Sequence, residues 1–203
     1  MTENLQVRQG VVGDKRTIIG LIDEAADWLR TKNTDQWSTP WPSRKARDER
    51  VERGLRRGST WIVEAESRPI ATVTYRRHGN QGLWTRSEDD EPAVYVSRLI
   101  VSRACAGLGI GAALVDWAAE RAVADWDARW IRIDVWTTNM ALHEYYEKRG
   151  FRYMRTCRYD PETYPSAALF QKSTEEIDVA AASRFEEVTF STPVPHRILV
   201  PQA

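Results

Sequence analysis

The chain has 203 residues, enough for one domain with or without an appendage, and is 42% hydrophobic and 29% charged. Lys plus Arg and Asp plus Glu are both 29, so the formal net charge is zero; a protein that tracks phosphates carries a basic excess, and no nucleic-acid partner is expected. No apolar run reaches the ~18 residues of a membrane span, and the N-terminus lacks the basic start and apolar core of a secretory signal. Two cysteines, Cys105 and Cys157, make neither a disulfide framework nor a four-cysteine zinc site, and His78, His143 and His196 have no metal-ligand spacing. The expectation is a cytoplasmic protein with reduced thiols, no metal and no membrane partner.

Leu5, Val7 and residues 10–12 read as a first strand, with Asp14 as the N-cap of the helix that follows. Ile18, Ile22, Ala25, Ala26 and Leu29 recur at the amphipathic helical period, and Asn33 ends that helix. Residues 36–43 form a loop because Pro40 and Pro42 forbid regular helix, and 44–57 read as a charged, solvated second helix. Residues 60–65 and 70–75 are β-rich runs separated by a hairpin turn at 66–69. The polar stretch 76–92, with the acidic run Glu88 to Glu91, reads as a mobile loop with a solvated face.

A strand at 93–101 leads into a helix at 109–124, and Ile131, Ile133 and Val135 alternate along a strand at 130–136. A helix over 139–148 stops at Gly150, and strands at 151–159 and 167–172 close the pattern. The strand–helix–strand unit at 93–136 implies a right-handed parallel crossover, while the hairpins imply antiparallel pairs. The fold class is therefore α/β (α+β): a mixed, mostly antiparallel central sheet with a βαβ crossover and helices on both faces. The composition changes at Ser173, dividing a domain of 1–172 from an extension of 173–203 that holds one strand, at 187–190.

The most informative segment is Arg98-Leu-Ile-Val-Ser-Arg-Ala-Cys-Ala-Gly-Leu-Gly-Ile-Gly-Ala-Ala-Leu114. A strand feeds alternate glycines, Gly107, Gly109 and Gly111, that open a helix. Glycine lets the backbone approach a ligand closely. The first helical N–H groups lack partners, and the helix dipole favours an anion there; pyrophosphate is the usual occupant. A Walker loop would need Gly-Lys-Ser/Thr, whereas Ala112 and Ala113 follow Gly111. A dinucleotide fingerprint fits Gly107, Gly109 and Ala112, but it needs an acid at the end of the next strand, where the sequence reads Val135-Trp-Thr-Thr-Asn139.

The strand 94–101 followed by Ala-Gly-Leu-Gly-Ile-Gly resembles the acetyl-CoA motif of the GNAT superfamily of N-acetyltransferases, Gln/Arg-x-x-Gly-x-Gly/Ala, with Gly109 and Gly111 on its glycines and Ala106 where Gln or Arg is usual. Asn139-Met-Ala-Leu-His-Glu-Tyr-Tyr146-Glu-Lys-Arg-Gly150-Phe151 resembles that superfamily's second motif, and the element order from 5 to 172 agrees. The resemblance implies acetyl transfer from acetyl-CoA to a primary amine. It implies that Leu99, Ile100 and Val101 meet the pantetheine arm as an added strand. Ala106, Gly107, Leu108, Gly109, Ile110, Gly111 and Ala112 would then cradle the pyrophosphate. Asn139 would hydrogen-bond the cofactor arm, with helix N-capping as its compatible alternative. Tyr146 would protonate the leaving thiolate as the catalytic acid.

Many members place a glutamate on the strand before the loop, and residues 93–101 contain no carboxylate. Ser97 or Tyr95 could relay a proton, Asp134 could act as base or pair with Arg98, and an amine of low pKa would need no base. The Arg98–Asp134 pair is the preferred reading, because an Asp within a strand needs a partner. In the resemblance the acceptor pocket is lined by the loops 37–43 and 158–166, which offer Trp37, Trp41, Tyr159, Asp160, Glu162 and Tyr164; aromatic walls with a few acids suit a cationic or planar amine. Trp37, Trp41, Ser97, Asp134 and Tyr164 are the acceptor-site candidates. The expected partner is a small-molecule amine, with a protein or peptide acceptor and a non-catalytic CoA-binding module as alternatives. Both monomer and homodimer remain open.

Overall fold

The computed structural model describes residues 5–32, 34–157 and 165–189. In chain order the elements are β1 (Leu5–Gln9), α1 (Lys15–Leu29), α2 (Arg44–Arg56), β2 (Thr60–Ala65), β3 (Arg68–Arg76), a short α3 (Arg86–Asp89), β4 (Ala93–Val101), α4 (Ile110–Trp126), β5 (Trp130–Val135), α5 (Met140–Glu147), β6 (Arg152–Thr156), β7 (Ala168–Ser173), a short α6 (Val179–Ala182) and β8 (Phe185–Glu187). They build one eight-stranded sheet in the order β6-β7-β5-β4-β3-β2-β1-β8. Only β4–β5 and β1–β8 pair in parallel, so the sheet is mixed and mostly antiparallel, as the βαβ unit and hairpins predict.

Period-two alternation sends each strand's side chains to opposite faces. Trp61 and Val63 of β2 join Val94, Ile131 and Phe170 beneath Leu114, Trp117 and Ala118 of α4. Ile62, between them, points the other way, into a second core with Ile18 and Ile22 of α1 and Val51 and Leu55 of α2. In β4 this parity is broken. Opposite Thr72–Thr74 the register slips by one residue, and Arg98 adopts a left-handed φ of 48°. The extra residue flips the faces: Val94 and Val96 lie in the α4 core, yet Ile100 lies in the α1/α2 core.

Several local readings change. The first strand stops at Gln9, and Val12–Asp14 is a 3-10 turn. Asp14 stands at the N-cap position of α1 without capping it; its carboxylate accepts from Val11 N at 2.8 Å and from both terminal nitrogens of Arg8. Helix α1 ends at Leu29, and Asn33 lies outside the described residues. The helix α2 is not simply solvated, because Val51, Gly54 and Leu55 are buried. At Gly150, with φ 83°, the chain leaves α5 as its glycine predicts, and Phe151 N bonds back to Tyr146 O at 3.1 Å.

The stretch 76–92 is not the free loop its polarity suggests. Leu83 and Trp84 form a third apolar cluster with Ala93, Tyr95 and Leu169. Thr85 and Glu88 make a capping box that starts α3. Arg155 of β6 grips both oxygens of Glu88 at 2.6 and 2.7 Å. Arg132 of β5, only 1% exposed, donates to Gln171 Oε1 at 2.7 Å and Tyr95 Oη at 3.0 Å, and also to Glu88 O and the Glu91 carboxylate. A buried guanidinium needs such partners, so part of the acidic run serves as its counter-charge. Beyond Ser173, Ala182 and Phe185 enter the same core as α4, and β8 adds to the edge of β1. This strand lies two residues earlier than the sequence reading, and Phe190 is outside the described residues.

The Arg155 guanidinium lowers the Glu88 carboxyl from its ordinary 4.5 to about 2. A depressed folded-state value means the pair's stabilisation is complete above the unfolded value and is lost as pH falls from 4.5 to about 2. Glu88→Gln should therefore be roughly 1–3 kcal/mol less stable than the wild type at neutral pH, and the two urea midpoints should converge as pH falls through that window. A gap that stays constant with pH would refute the assignment.

Candidate active site

The parallel pairing of β4 with β5 runs from Ala93↔Trp130 to Val96↔Ile133 and stops there. Strand β4 continues to Val101 and β5 to Val135. Beyond the bulge at Arg98, the β5-facing edge of β4 is therefore offered to an extended ligand rather than to a strand. Leu99, Ile100 and Val101 occupy this stretch. Ile100 is anchored in the α1/α2 core, while Leu99 and Val101 pack partly buried against the α4 core.

The same strand leads into the glycine loop. Gly107 and Gly109 have φ of 84° and 74°, a left-handed conformation that residues with a Cβ disfavour, and Gly109 is the N-cap of α4. Ala113 N makes the first bond back, to Gly109 O at 3.1 Å. The amides of Ile110, Gly111 and Ala112 thus precede the helical ladder and are available to an anion. A Cβ on Gly111 would lie 3.5 Å from Val101 and 3.8 Å from Leu99, so the loop is laid directly against the end of β4. Leu108 is 53% exposed at the loop's tip. Ala106 lies in extended conformation after a 3-10 turn. These features fit the pyrophosphate and extended arm of coenzyme A: a backbone edge for the arm ends where a cradle of amides begins.

Helix α5 supplies Tyr146, whose ring packs edge-on against Phe151 at 5.4 Å and also meets Phe170 and Tyr145. Burial raises its phenol above the ordinary value, with Tyr145 and Asp134 adding to the effect; the hydroxyl stays protonated at neutral pH and can donate. Asn139 caps α5 by accepting from Leu142 N at 3.1 Å, and its Nδ2 donates to Gln36 Oε1 at 2.6 Å. Asp35 beside it accepts from Trp136 Nε1 at 2.9 Å and from the Thr138 hydroxyl. Those two donors hold its carboxyl below its usual range, Thr138 contributing more than Trp136. The loop after α1 is thereby tied to the loop after β5.

One cavity of about 800 Å³ connects these parts. Tyr146, Leu99, Ser97 and Asp134 line it, and so do Trp37 and Trp41. Four of the five acceptor-site candidates are thus brought together; Tyr164 lies outside the described residues, as do Tyr159, Asp160 and Glu162. Ser97 Oγ is 3.5 Å from Thr74 O. Arg98 and Asp134 both line the cavity, and Arg98 Nη1 donates to Thr74 Oγ1 at 3.4 Å. Leu99 is the cofactor-binding candidate on its wall; Asn139 stands just behind it through Gln36, which does line it.

Two features escape a reading of the sequence. The cavity's walls are rich in arginine, five of them from α2 and its last turn, although the sequence there reads as an exposed charged helix. The second is Arg184, between α6 and β8: its Nη1 donates to Leu108 O at 3.1 Å and lies 3.5 Å from where a Gly109 Cβ would be. No local pattern marks a residue that reaches the glycine loop from 76 positions away.

Residues 22–151 match the acetyltransferase (GNAT) family. Over 146 residues the chain is 30% identical to the uncharacterized N-acetyltransferase YesJ of Bacillus subtilis (strain 168), covering 71% of this chain and 79% of that one. A GNAT-family acetyltransferase from Listeria monocytogenes 4b F2365 superposes with a TM-score of 0.64 at 22% identity, over 83% of this chain and 94% of its own. The PaiA N-acetyltransferase of Thermoplasma acidophilum, solved in complex with coenzyme A, gives 0.61 at 17% identity, over 83% and 98%. The two structures share the fold; the family match spans both the glycine loop and Tyr146. The chain belongs to the GNAT family and is an acetyl-CoA-dependent N-acetyltransferase.

Proposed function

We propose that the protein moves the acetyl group of acetyl-CoA onto the primary amine of a small molecule. The observation that carries this reading is the single cavity joining Tyr146 and the open edge of β4 to the walls formed by α1, α2 and their loop. Its volume of about 800 Å³ is in the range of small-molecule sites. The bonds from Asp35 and Gln36 to Trp136, Thr138 and Asn139 fasten one side of it, which disfavours an open groove for a peptide.

In this reading Leu99 and Val101 hold the pantetheine arm through their backbone, and the amides of Leu108 to Ala112 hold the pyrophosphate. Arg184 adds a cation at the same loop. The amine's lone pair attacks the thioester carbonyl, a C–N bond forms and the C–S bond breaks. The departing thiolate takes the proton of Tyr146, and the proton released by the nitrogen restores the phenol through solvent. The burial that raises Tyr146 also raises the proton affinity of a thiolate beside it, since both lose hydration as anions. Asp134 is assigned the part of a partner to Arg98 rather than that of the base.

Acetyl-CoA should raise the unfolding midpoint of the protein, by the equivalent of ~2.7 kcal/mol at a hundredfold excess over its dissociation constant, whereas NAD should not. Gly109→Val, which forces a branched side chain into a left-handed φ, should remove that response while itself lowering stability by about 1–2 kcal/mol. A midpoint raised by NAD and not by acetyl-CoA would sink the reading. Tyr146→Phe should lower kcat by about a hundredfold with KM for acetyl-CoA little changed; unaltered turnover would remove Tyr146 from the chemistry. Asp134→Asn should lower the unfolding midpoint and leave kcat within severalfold. A loss of about a hundredfold with stability intact would make Asp134 the base instead.

A further inference from the structure

We propose that the acceptor amine also carries an anionic group, a carboxylate or phosphate, bound by the arginines that line the same cavity as Tyr146. This rests on the small-molecule N-acetyltransferase reading of the same cavity. Among the described residues, eight arginines line it against two aspartates, Asp23 and Asp134, with no lysine and no glutamate. The chain as a whole has zero formal charge, so the excess is local and not the surplus of a basic protein.

The arrangement follows from α2. Arg44, Arg47, Arg50, Arg53 and Arg57 recur at steps of three or four residues along it and its C-cap, and all reach the cavity. Gly54 lies among them; a Cβ there would clash with Thr60 Oγ1 at 2.6 Å, and Arg98 Nη1 lies alongside at an ordinary contact distance of 3.5 Å. Arg30 and Arg76 complete the wall.

Some of this charge is already answered. Arg47 binds Asp23 at 2.6 Å and Asp48 at 2.8 Å, Arg30 binds Asp27, and Arg50 lies over the Trp41 ring at 5.2 Å. Arg98 is engaged as well, with Thr74 among its partners, which leaves four arginines within the described residues. There, Arg44, Arg53, Arg57 and Arg76 have no carboxylate partner, and the buried Nε of Arg76 has no hydrogen-bond partner. Gathering unneutralised cations around a cavity is unfavourable until an anion enters. The planar guanidinium offers two parallel donors that match a carboxylate or a phosphate. A polyamine would set its remaining ammonium groups against the same wall, and like-charge juxtaposition opposes that.

The wall is not placed for the phosphates of the donor. The glycine loop opens α4, which packs on one face of the sheet, while α2 packs with α1 on the other. Where the aromatic walls and the acids of the flanking loops suggested a cationic or planar amine, the arginines favour an amine with a negative pole. Its nitrogen would face Tyr146 and its anion would face α2.

The test compares CoA release from acetyl-CoA with amines on shared scaffolds: phenylalanine, phenylalaninamide and phenethylamine; O-phosphoserine, serine and serinamide; and spermidine as a polycation. The anionic members should exceed their neutral counterparts about tenfold or more in kcat/KM, as a charge-assisted pair implies, and the carboxylate and phosphate arms tell which oxyanion is preferred. The Arg44→Ala/Arg53→Ala variant, altered on the exposed side of α2, should lose most of that preference. Equal or faster turnover of neutral or cationic amines, or a preference unchanged in the variant, overturns the proposal. If no amine in the series reacts, calorimetric titration of the CoA-saturated protein with inorganic phosphate decides. Binding that weakens about tenfold in the variant supports the wall, and absent or unchanged binding overturns it. Failure of the underlying acetyltransferase reading registers separately, as the lack of any acetyl-CoA-dependent rise in the unfolding midpoint.

Discussion

The architecture depends on two parallel strands that part company. β4 and β5 share hydrogen bonds only as far as Val96 and Ile133. Past that point each buried backbone group needs another partner, and the bulge at Arg98 has already turned the rest of β4 to a new parity. The exposed edge is free for an extended ligand in the proposed reading, and the candidate site residues are set around it. The glycine loop continues β4, Tyr146 comes from the helix after β5, and Ser97 and Asp134 stand at the fork.

A gap in a sheet is tolerable only if the strands on either side are held firmly. On the β5 side Arg132 is enclosed by Gln171, Tyr95 and the backbone and carboxylate groups of the 76–92 stretch. On the β4 side the strand is paired along β3 and clamped between two cores, one under α4 and one under α1 and α2. The segment after Ser173 joins this support: β8 covers the edge of β1, and Arg184 reaches the loop where α4 begins. Polar stretches that look dispensable in the sequence thus brace the sheet on which the site is built.

In the proposed reading the two faces of the sheet divide the labour between donor and acceptor. Amides and a helix dipole on the α4 side provide positive potential without side chains. On the α2 side the positive potential comes from guanidinium groups, which are directional and can be exchanged by mutation. The first suits an invariant pyrophosphate, the second a substrate that must be told apart from others. Tyr146 lies where the two meet, in surroundings that keep its proton in place.

Much was decided by the sequence alone, because it follows from local rules. Apolar periodicity marks the helices and strands, alternate glycines at a strand–helix junction mark an anion cradle, and the Asn139–Phe151 stretch places Tyr146. These signals live within a few residues of one another, where backbone geometry and side-chain spacing translate directly into shape. The tertiary structure alone decided what depends on distant partners. Asp14 faces Arg8 rather than a helix end, and Glu88 and Glu91 are counter-charges rather than a solvated face. Arg184 meets Leu108 from 76 positions away in the chain, and an arginine-rich helix that reads as surface lines the cavity. Charge in a sequence has a sign but no address. Only packing fixes which charges share a low-dielectric space, and with them the kind of molecule the site can hold.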